Sequence, residues 1–223
     1  MIYIDRHIGG RRHVADSRDW AYRMAPHTKP LGCFGRVVVP VIGHSWPIGP
    51  ILDQGATPQC VAYAWADWLS CQPITTLVDT PSYEDWFYRA AQVVDEWPGT
   101  DYDGTSVRAG AKIMQQQGHI GGYVWASSEP EIWNYISSSG PVVMGSNWYS
   151  GMFAPDPGGY LNLTGPVVGG HAYLLYESKG DYAMQNSWGA DWGLTGTARL
   201  RRSDVARLLG EDGEACAGLE LGL

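Results

Sequence analysis

Apolar positions along this chain change their period once, close to residue 140. Ahead of that point they recur every three to four residues. Val61, Ala64, Trp65, Trp68 and Leu69 fall on one helical face, which predicts a helix from about Cys60 to Cys71. Pro58 lies just ahead, where a helix start tolerates a missing N–H. Ser82 to Glu96 reads as a second helix, with Ser82 and Asp85 as a capping box and Trp86, Phe87, Ala90, Val93 and Val94 on its apolar face. Asp101-Tyr102-Asp103-Gly104 is a turn, after which Thr105 or Ser106 caps a third helix ended by Gly118. Ser128-x-Pro130-Glu131 opens a fourth, which closes before Gly140.

Beyond that point the period becomes that of strands, at Val142 to Ser146, His171 to Glu177, Tyr182 to Asn186 and Thr197 to Arg201. A short helix near Ser203 to Leu209 precedes the tail Ala217 to Leu223. Residues 149–170 form a Gly/Pro-rich loop, longer than ordinary connections and of the kind that is often functional. Residues 1 to about 50 carry many Gly, Pro and His and one apolar run at Val37 to Ile42, and read as extended chain wrapping a core. Helices first and strands second predict an α+β fold with two lobes in a single domain, 1–223. The lobes are a mainly helical one at 51–140 and a mainly β one at 141–223, with a cleft between them.

Composition narrows the function. Charged residues make up 17% of the chain, below the usual ~25%, and 11 tryptophans supply large apolar faces, so a sizeable core is expected. A net charge of −8 argues against nucleic-acid or anionic-membrane partners. No run approaches the ~18 apolar residues of a membrane span. Met1 to Val14 holds no apolar signal-peptide core, which points to a chain that is cytoplasmic at synthesis. Cysteines at 33, 60, 71 and 216 make no disulfide framework; with Cys60 reactive, at most one bridge can form. His7, His13, His27, His44 and His119 lack ligand spacing, so neither a metal nor a cofactor is expected.

The chemistry concentrates in three places. Cys60 opens a helix, where the positive end of the dipole favours thiolate over thiol. Gly55 lets backbone approach a ligand there and Gln54 brings an amide donor. On these residues alone, a small apolar core cysteine is an equal reading. His171 enters an alternating strand behind Gly169-Gly170, and a turn at Lys179-Gly180 folds the next strand back so that Asn186 returns beside it. Cysteine, histidine and asparagine in that order fit a nucleophile, its base and an orienting group.

Gln54 six residues before Cys60, His171 followed by alanine, and Asn186-Ser187-Trp188-Gly189 with Trp192-Gly193 together resemble the papain-like cysteine peptidases, over a stretch from about Asp16 to the C-terminus. The resemblance implies Cys60 as nucleophile, held as thiolate beside protonated His171. Gln54 and the Cys60 N–H would form the oxyanion hole, and Asn186 would orient the imidazole. Trp188 would shield the Asn186–His171 bond, and Trp192 would stand beside the leaving-group subsites. Gly104, with Asp103, would line the edge that pairs with a peptide or protein substrate, and residues Gly145 to Trp148 would border the side-chain pocket. The chain departs from the family pattern at Thr57, where a cysteine is common, at Val61, where an aromatic residue is common, and at Thr105, where glycine is expected. No long propeptide precedes the catalytic part, so inhibition by such a segment is not expected. An acyl transferase or an isopeptidase acting on cell-wall peptides would use the same triad. A papain-fold binding or structural module of a phage particle, and hence a virion location, is the alternative of another class.

Overall fold

Helix α1 (Cys60–Ser70) has every residue buried, and the rest of the molecule packs round it. A computed structural model describes residues 8–11, 43–76 and 81–219; the Asp16–Trp20 pattern, the Val37–Ile42 run and Cys33 lie outside them. Three alanines give α1 strong helical preference, and it is apolar almost all round, as a helix without a solvent face must be. Helix α2 spans Pro81–Val94 and α3 spans Val107–Gln116. Gly110 of α3 lies against Trp65 so closely that a β-carbon there would collide with the indole. The Trp65 indole donates to the Val107 carbonyl at 3.2 Å. Ser106 caps α3 by accepting from the Ala109 amide, and Gly118 ends that segment at φ +72°.

The inward face of α2 differs from the predicted one. Glu84, Phe87, Tyr88, Ala91 and Gln92 are buried, whereas Trp86 is 43% and Val93 74% exposed. The helix is turned by its polar side chains, which hold the 102–104 turn: Gln92 Nε2 donates to the Tyr102 carbonyl at 2.7 Å. The Gly104 amide donates to the Tyr88 hydroxyl at 2.9 Å.

Strands β1 (Gly122–Trp125), β2 (Val142–Tyr149), β3 (Val167–Lys179), β4 (Asp181–Gln185), β5 (Thr197–Leu200) and β6 (Glu214–Leu219) form one sheet in the order β1-β6-β2-β3-β4-β5. Every neighbouring pair is antiparallel. Helices α4 (Glu129–Ser138) and α5 (Arg202–Gly210) complete the order. Alternation sends Val143, Ala172 and Leu174 into one core with Val61, Trp65 and Leu69. Val142, Met144, Tyr173 and Leu175 enter a second core with Ile132, Ile136 and Leu208. The α+β class expected from the sequence is what the chain adopts. Residues 149–170 are less of a loop than the sequence suggested: β2 runs on to Tyr149, a 3-10 turn covers Ser150–Phe153, and β3 begins at Val167. β1 was not predicted, and only the end of β6 falls in the predicted tail. No helix among the described residues is long and apolar enough to cross a membrane.

Candidate active site

The loop before α1 is fastened at both ends. Thr57 closes a tight turn onto the Gln54 carbonyl through its hydroxyl at 2.7 Å, with Gly55 at φ +58°. Gln54 Nε2 donates to the Thr57 carbonyl at 2.7 Å. The Ser187 hydroxyl donates to Gln54 Oε1 at 2.6 Å, and the Gln54 amide donates to the Ser187 carbonyl at 2.9 Å. The segment bearing Cys60 is thus stitched to the segment bearing Asn186.

The β3–β4 turn at Gly180 (φ +74°) sets Leu174 opposite Gln185, and this pairing brings His171, inside β3, to Asn186, just past the end of β4. His171 Nε2 and Asn186 Oδ1 are 2.7 Å apart. The same oxygen accepts the Ser187 amide at 2.9 Å. An atom that accepts from a backbone amide is the carbonyl oxygen, so Nε2 must carry the proton and Nδ1 the lone pair. Nδ1 has no hydrogen-bond partner among the described residues. Two indoles enclose the ring, Trp188 at 4.7 Å and Trp148 at 4.8 Å between centroids. Phe153 stacks on Trp188 at 5.5 Å. Burial in this cage pushes the His171 pKa down to about 4, against the opposing effect of Asn186.

Cys60 is the first residue of α1, with Gln59 as its cap. Backbone amides of Ala172 (the residue after His171), Gly9, Val61 and Cys60 itself lie close enough to its sulfur to favour the thiolate. Burial pushes the thiol pKa up, and these amides only partly counter it. The sequence led us to expect a thiolate well below the ordinary thiol range. In this arrangement desolvation favours the neutral form of both groups, and His171 Nδ1 makes no hydrogen bond to the Cys60 sulfur.

Residues 8–11 lie against Pro58 and His171 at this site. The Gly10 amide donates to the Gly170 carbonyl at 2.8 Å, the Thr105 amide to the Gly9 carbonyl at 3.1 Å, and the Arg11 amide to the Thr105 carbonyl at 2.9 Å. Gly10 and Thr105 therefore form an isolated parallel β-bridge. Both glycines are required by space: a β-carbon on Gly9 would collide with the Pro58 carbonyl, and one on Gly10 would come within 2.9 Å of the His171 amide nitrogen. In this arrangement Cys60 has no exposed surface.

The other predicted site residues take the following places. Thr105, not Gly104, pairs its backbone with the extended segment; Gly104 (φ +88°) gives room, since a β-carbon there would meet the Gly9 carbonyl. The Asp103 carbonyl accepts Arg11 Nε at 2.9 Å. Trp192 packs edge-on against Trp188 at 5.4 Å, its indole donating to the Phe153 carbonyl at 2.9 Å. Gly145, Ser146 and Asn147 line a cavity of about 90 Å³ with Val61 and His171, while Trp148 turns onto the imidazole instead. Ser187 and Phe153 were not singled out from the sequence as site residues, and Trp148 was expected at the side-chain pocket and not on the imidazole; the one available signal for Ser187 was the Asn-Ser-Trp-Gly run. Among the described residues no three of His, Cys, Asp and Glu converge as a metal site.

No protein-family model matches the chain. Solved structures do. Xylellain, a cysteine protease from Xylella fastidiosa, superposes with a TM-score of 0.74 at 15% identity, over 98% of this chain and 97% of that one. Digestive procathepsin L 3 from Tenebrio molitor larval midgut gives a TM-score of 0.60 at 14% identity, over 97% and 77%. ProCathepsin B S9 from Trypanosoma congolense gives 0.58 at 15% identity, over 76% and 71%. At such low identity these likenesses speak to architecture, and the architecture is that of the papain-like cysteine proteases.

Proposed function

We propose that the chain hydrolyses peptide bonds by nucleophilic catalysis, with Cys60, His171 and Asn186 as a triad and a peptide or protein as substrate. The observation that carries this is the His171 Nε2–Asn186 Oδ1 bond at 2.7 Å, which leaves Nδ1 as the basic nitrogen of a histidine whose next residue, Ala172, has its backbone amide near the Cys60 sulfur. The thiol proton passes to Nδ1, and the sulfur attacks the substrate carbonyl carbon. The developing oxyanion takes the Cys60 N–H, one of the helix amides with no intrahelical acceptor. It takes a second hydrogen bond from Gln54 Nε2, which has two N–H bonds and anchors one on Thr57. Imidazolium Nδ1–H protonates the departing amine as the C–N bond breaks, leaving a thioester on Cys60. His171 then removes a proton from water, whose oxygen attacks the thioester, and the returning proton restores the thiol. Charge on the imidazolium is shielded by Trp188 and Trp148.

A mixed peptide library incubated with the full chain, its products read by mass spectrometry, tests this. Cleavage at defined bonds that disappears in Cys60→Ala supports it. Cleavage that persists in Cys60→Ala overturns it, as does its absence from protein whose Cys60 alkylates readily. Adding a primary amine to the same reaction separates hydrolysis from acyl transfer, since a transferase would yield the amide rather than the free acid. A structural module of a phage-type particle would give neither product.

A further inference from the structure

Trp148 is placed by the sheet. Alternation along β2 puts Met144, Ser146 and Trp148 on the face that His171 and Tyr173 share from β3. Ser146 stands directly opposite His171, and Trp148 opposite Gly169, which presents no side chain. The imidazole is therefore the indole's diagonal neighbour across the strand pair, a separation that an aromatic side chain spans. The pairing slips just beyond, between Trp148 and Tyr149, an irregularity of the kind that re-aims a side chain beside a site. Ser146 leaves the imidazole alone, its hydroxyl lying 3.0 Å from that of Tyr173.

Three rings close a triangle. Centroids are 4.8 Å apart for Trp148 and His171, 4.7 Å for Trp188 and His171, and 5.1 Å for the two indoles. The indole planes cross at 76°, so the imidazole meets two walls set nearly at right angles, which restrict both its tilt and its rotation. Phe153 at 6.4 Å and Tyr173 at 6.1 Å back Trp148 edge-on. Neither Trp148 nor His171 has exposed surface. Packing alone does not ask for an indole here: its N–H has no acceptor among the described residues, a cost that a hydrocarbon ring would not carry.

Asn186 holds Nε2, and Nδ1 has no hydrogen-bond partner among the described residues, so the walls supply the rest of the orientation. The titratable and charged groups around the ring are Cys60 from α1, Tyr173 on its own strand at 6.3 Å, and Arg11, Asp212 and Glu214, which line a cavity that His171 also lines.

We propose that Trp148 is a positioning residue for the acid–base step, a second wall that with Trp188 holds the imidazole on Asn186 and keeps water from it. This rests on His171 serving as the base of the reaction proposed above. Burial lowers the His171 pKa to about 4. Opening one wall readmits water to the charged ring and moves that value back toward its ordinary ~6.5.

The test is carbon-13 NMR of the full chain labelled at histidine Cε1, titrated from pH 7.5 to 3.5, beside steady-state kinetics on any cleaved library peptide. In Trp148→Leu the His171 midpoint should rise by about 1 pH unit or more toward ~6.5. Its kcat should fall about 10- to 100-fold, up to the lower end of what a general acid–base group supplies, with KM little changed. Trp148→Phe keeps a flat apolar wall and gives up no hydrogen bond. It should lie between wild type and Trp148→Leu on both measurements, and it keeps the test valid where Trp148→Leu fails to fold. Trp133→Leu removes an indole that packs on Tyr182 and Arg202 and should move neither measurement. An unchanged midpoint in the Trp148 variants overturns the proposal even where kcat falls, as does an equal rise in Trp133→Leu. If the midpoint rises in Trp148→Leu but wild type cleaves no peptide, the wall stands and the peptidase reading falls. If wild type cleaves and Trp148→Leu matches it in midpoint and kcat, the wall falls and the peptidase stands.

Discussion

Asn186 accepts two hydrogen bonds on one oxygen, from His171 Nε2 at 2.7 Å and from the Ser187 amide at 2.9 Å. The second bond fixes the first. Held by the backbone, the Asn186 amide cannot flip, and the imidazole cannot present its other tautomer without losing its partner.

Asn186→Ala should therefore lower kcat by about 10²-fold, within the span that general acid–base groups contribute, while KM changes little. Asn186→Asp supplies an acceptor of the same shape and should recover part of that loss, which a purely structural role for the residue would not predict. Steady-state kinetics of the two variants on any cleaved library peptide decide the matter. A fall confined to KM in Asn186→Ala would mean that the residue serves substrate binding instead.

Gln54 stands between Thr57 and Ser187, one bond to each side. Gln54→Ala should cost about 10²-fold or more in kcat, since the amide meets charge only in the transition state. Ser187→Ala removes only the hydroxyl that anchors Oε1 and should cost less, with the same kcat signature. Equal losses in the two variants would assign the effect to collapse of the loop, and circular dichroism melts of both would show it.

How legible these relationships were in the sequence depends on their range. α1, α3 and α4 were readable because their signals are local: a proline or cap at the start, an apolar face, and a stop. The orientation of α2 was not, because Tyr88 and Gln92 turn inward for partners at 102–104 that no periodicity announces. β6 was missed because Ala215, Cys216, Ala217 and Gly218 carry no strand preference. Gly218 has no side chain because Trp68 and Ile120 press on it, a β-carbon there coming within 2.7 Å of both. In the site, chain order together with the family resemblance pointed to Gln54, Cys60, His171 and Asn186. Trp148 and Thr105 act through contacts made across the sheet and the cleft. A Gly-Gly pair with no side chains to read gave no sign that residues 8–11 would lie on the sulfur.

His171 supplies a pH prediction with a definite sign. Its pKa is lowered by burial to about 4, so between its ordinary range near ~6.5 and 4 the unfolded chain binds a proton that the folded chain does not. Stability is then complete above the unfolded pKa and falls as pH drops through that window. Urea unfolding measured from pH 7.5 to 4 should show this slope in wild type and a flatter one in His171→Gln. The comparison is of slopes, so the absolute cost of the substitution does not enter. Parallel curves would mean that His171 is not buried neutral.

Asp67 slopes the other way. It lies on α1, fully buried, with Gln185 Nε2 donating to Oδ1 at 2.9 Å and no hydrogen-bond partner for Oδ2 among the described residues. Burial first, and the neighbouring Glu84 second, raise its pKa well above the carboxylate range. The folded chain thus keeps a proton that the unfolded chain gives up near ~3.9, and stability falls as pH rises from there. Asp67→Asn retains the acceptor for Gln185 and has nothing to ionise. It should match wild type near pH 4 and exceed it by about 1–3 kcal/mol at pH 8, the scale of leaving one buried polar group without its hydrogen bond. Urea midpoints at the two pH values measure the difference, with the denaturant slope serving as a check that both proteins unfold from equally compact states. A variant less stable than wild type at pH 8 would show that the Asp67 carboxylate is ionised and compensated in the folded chain.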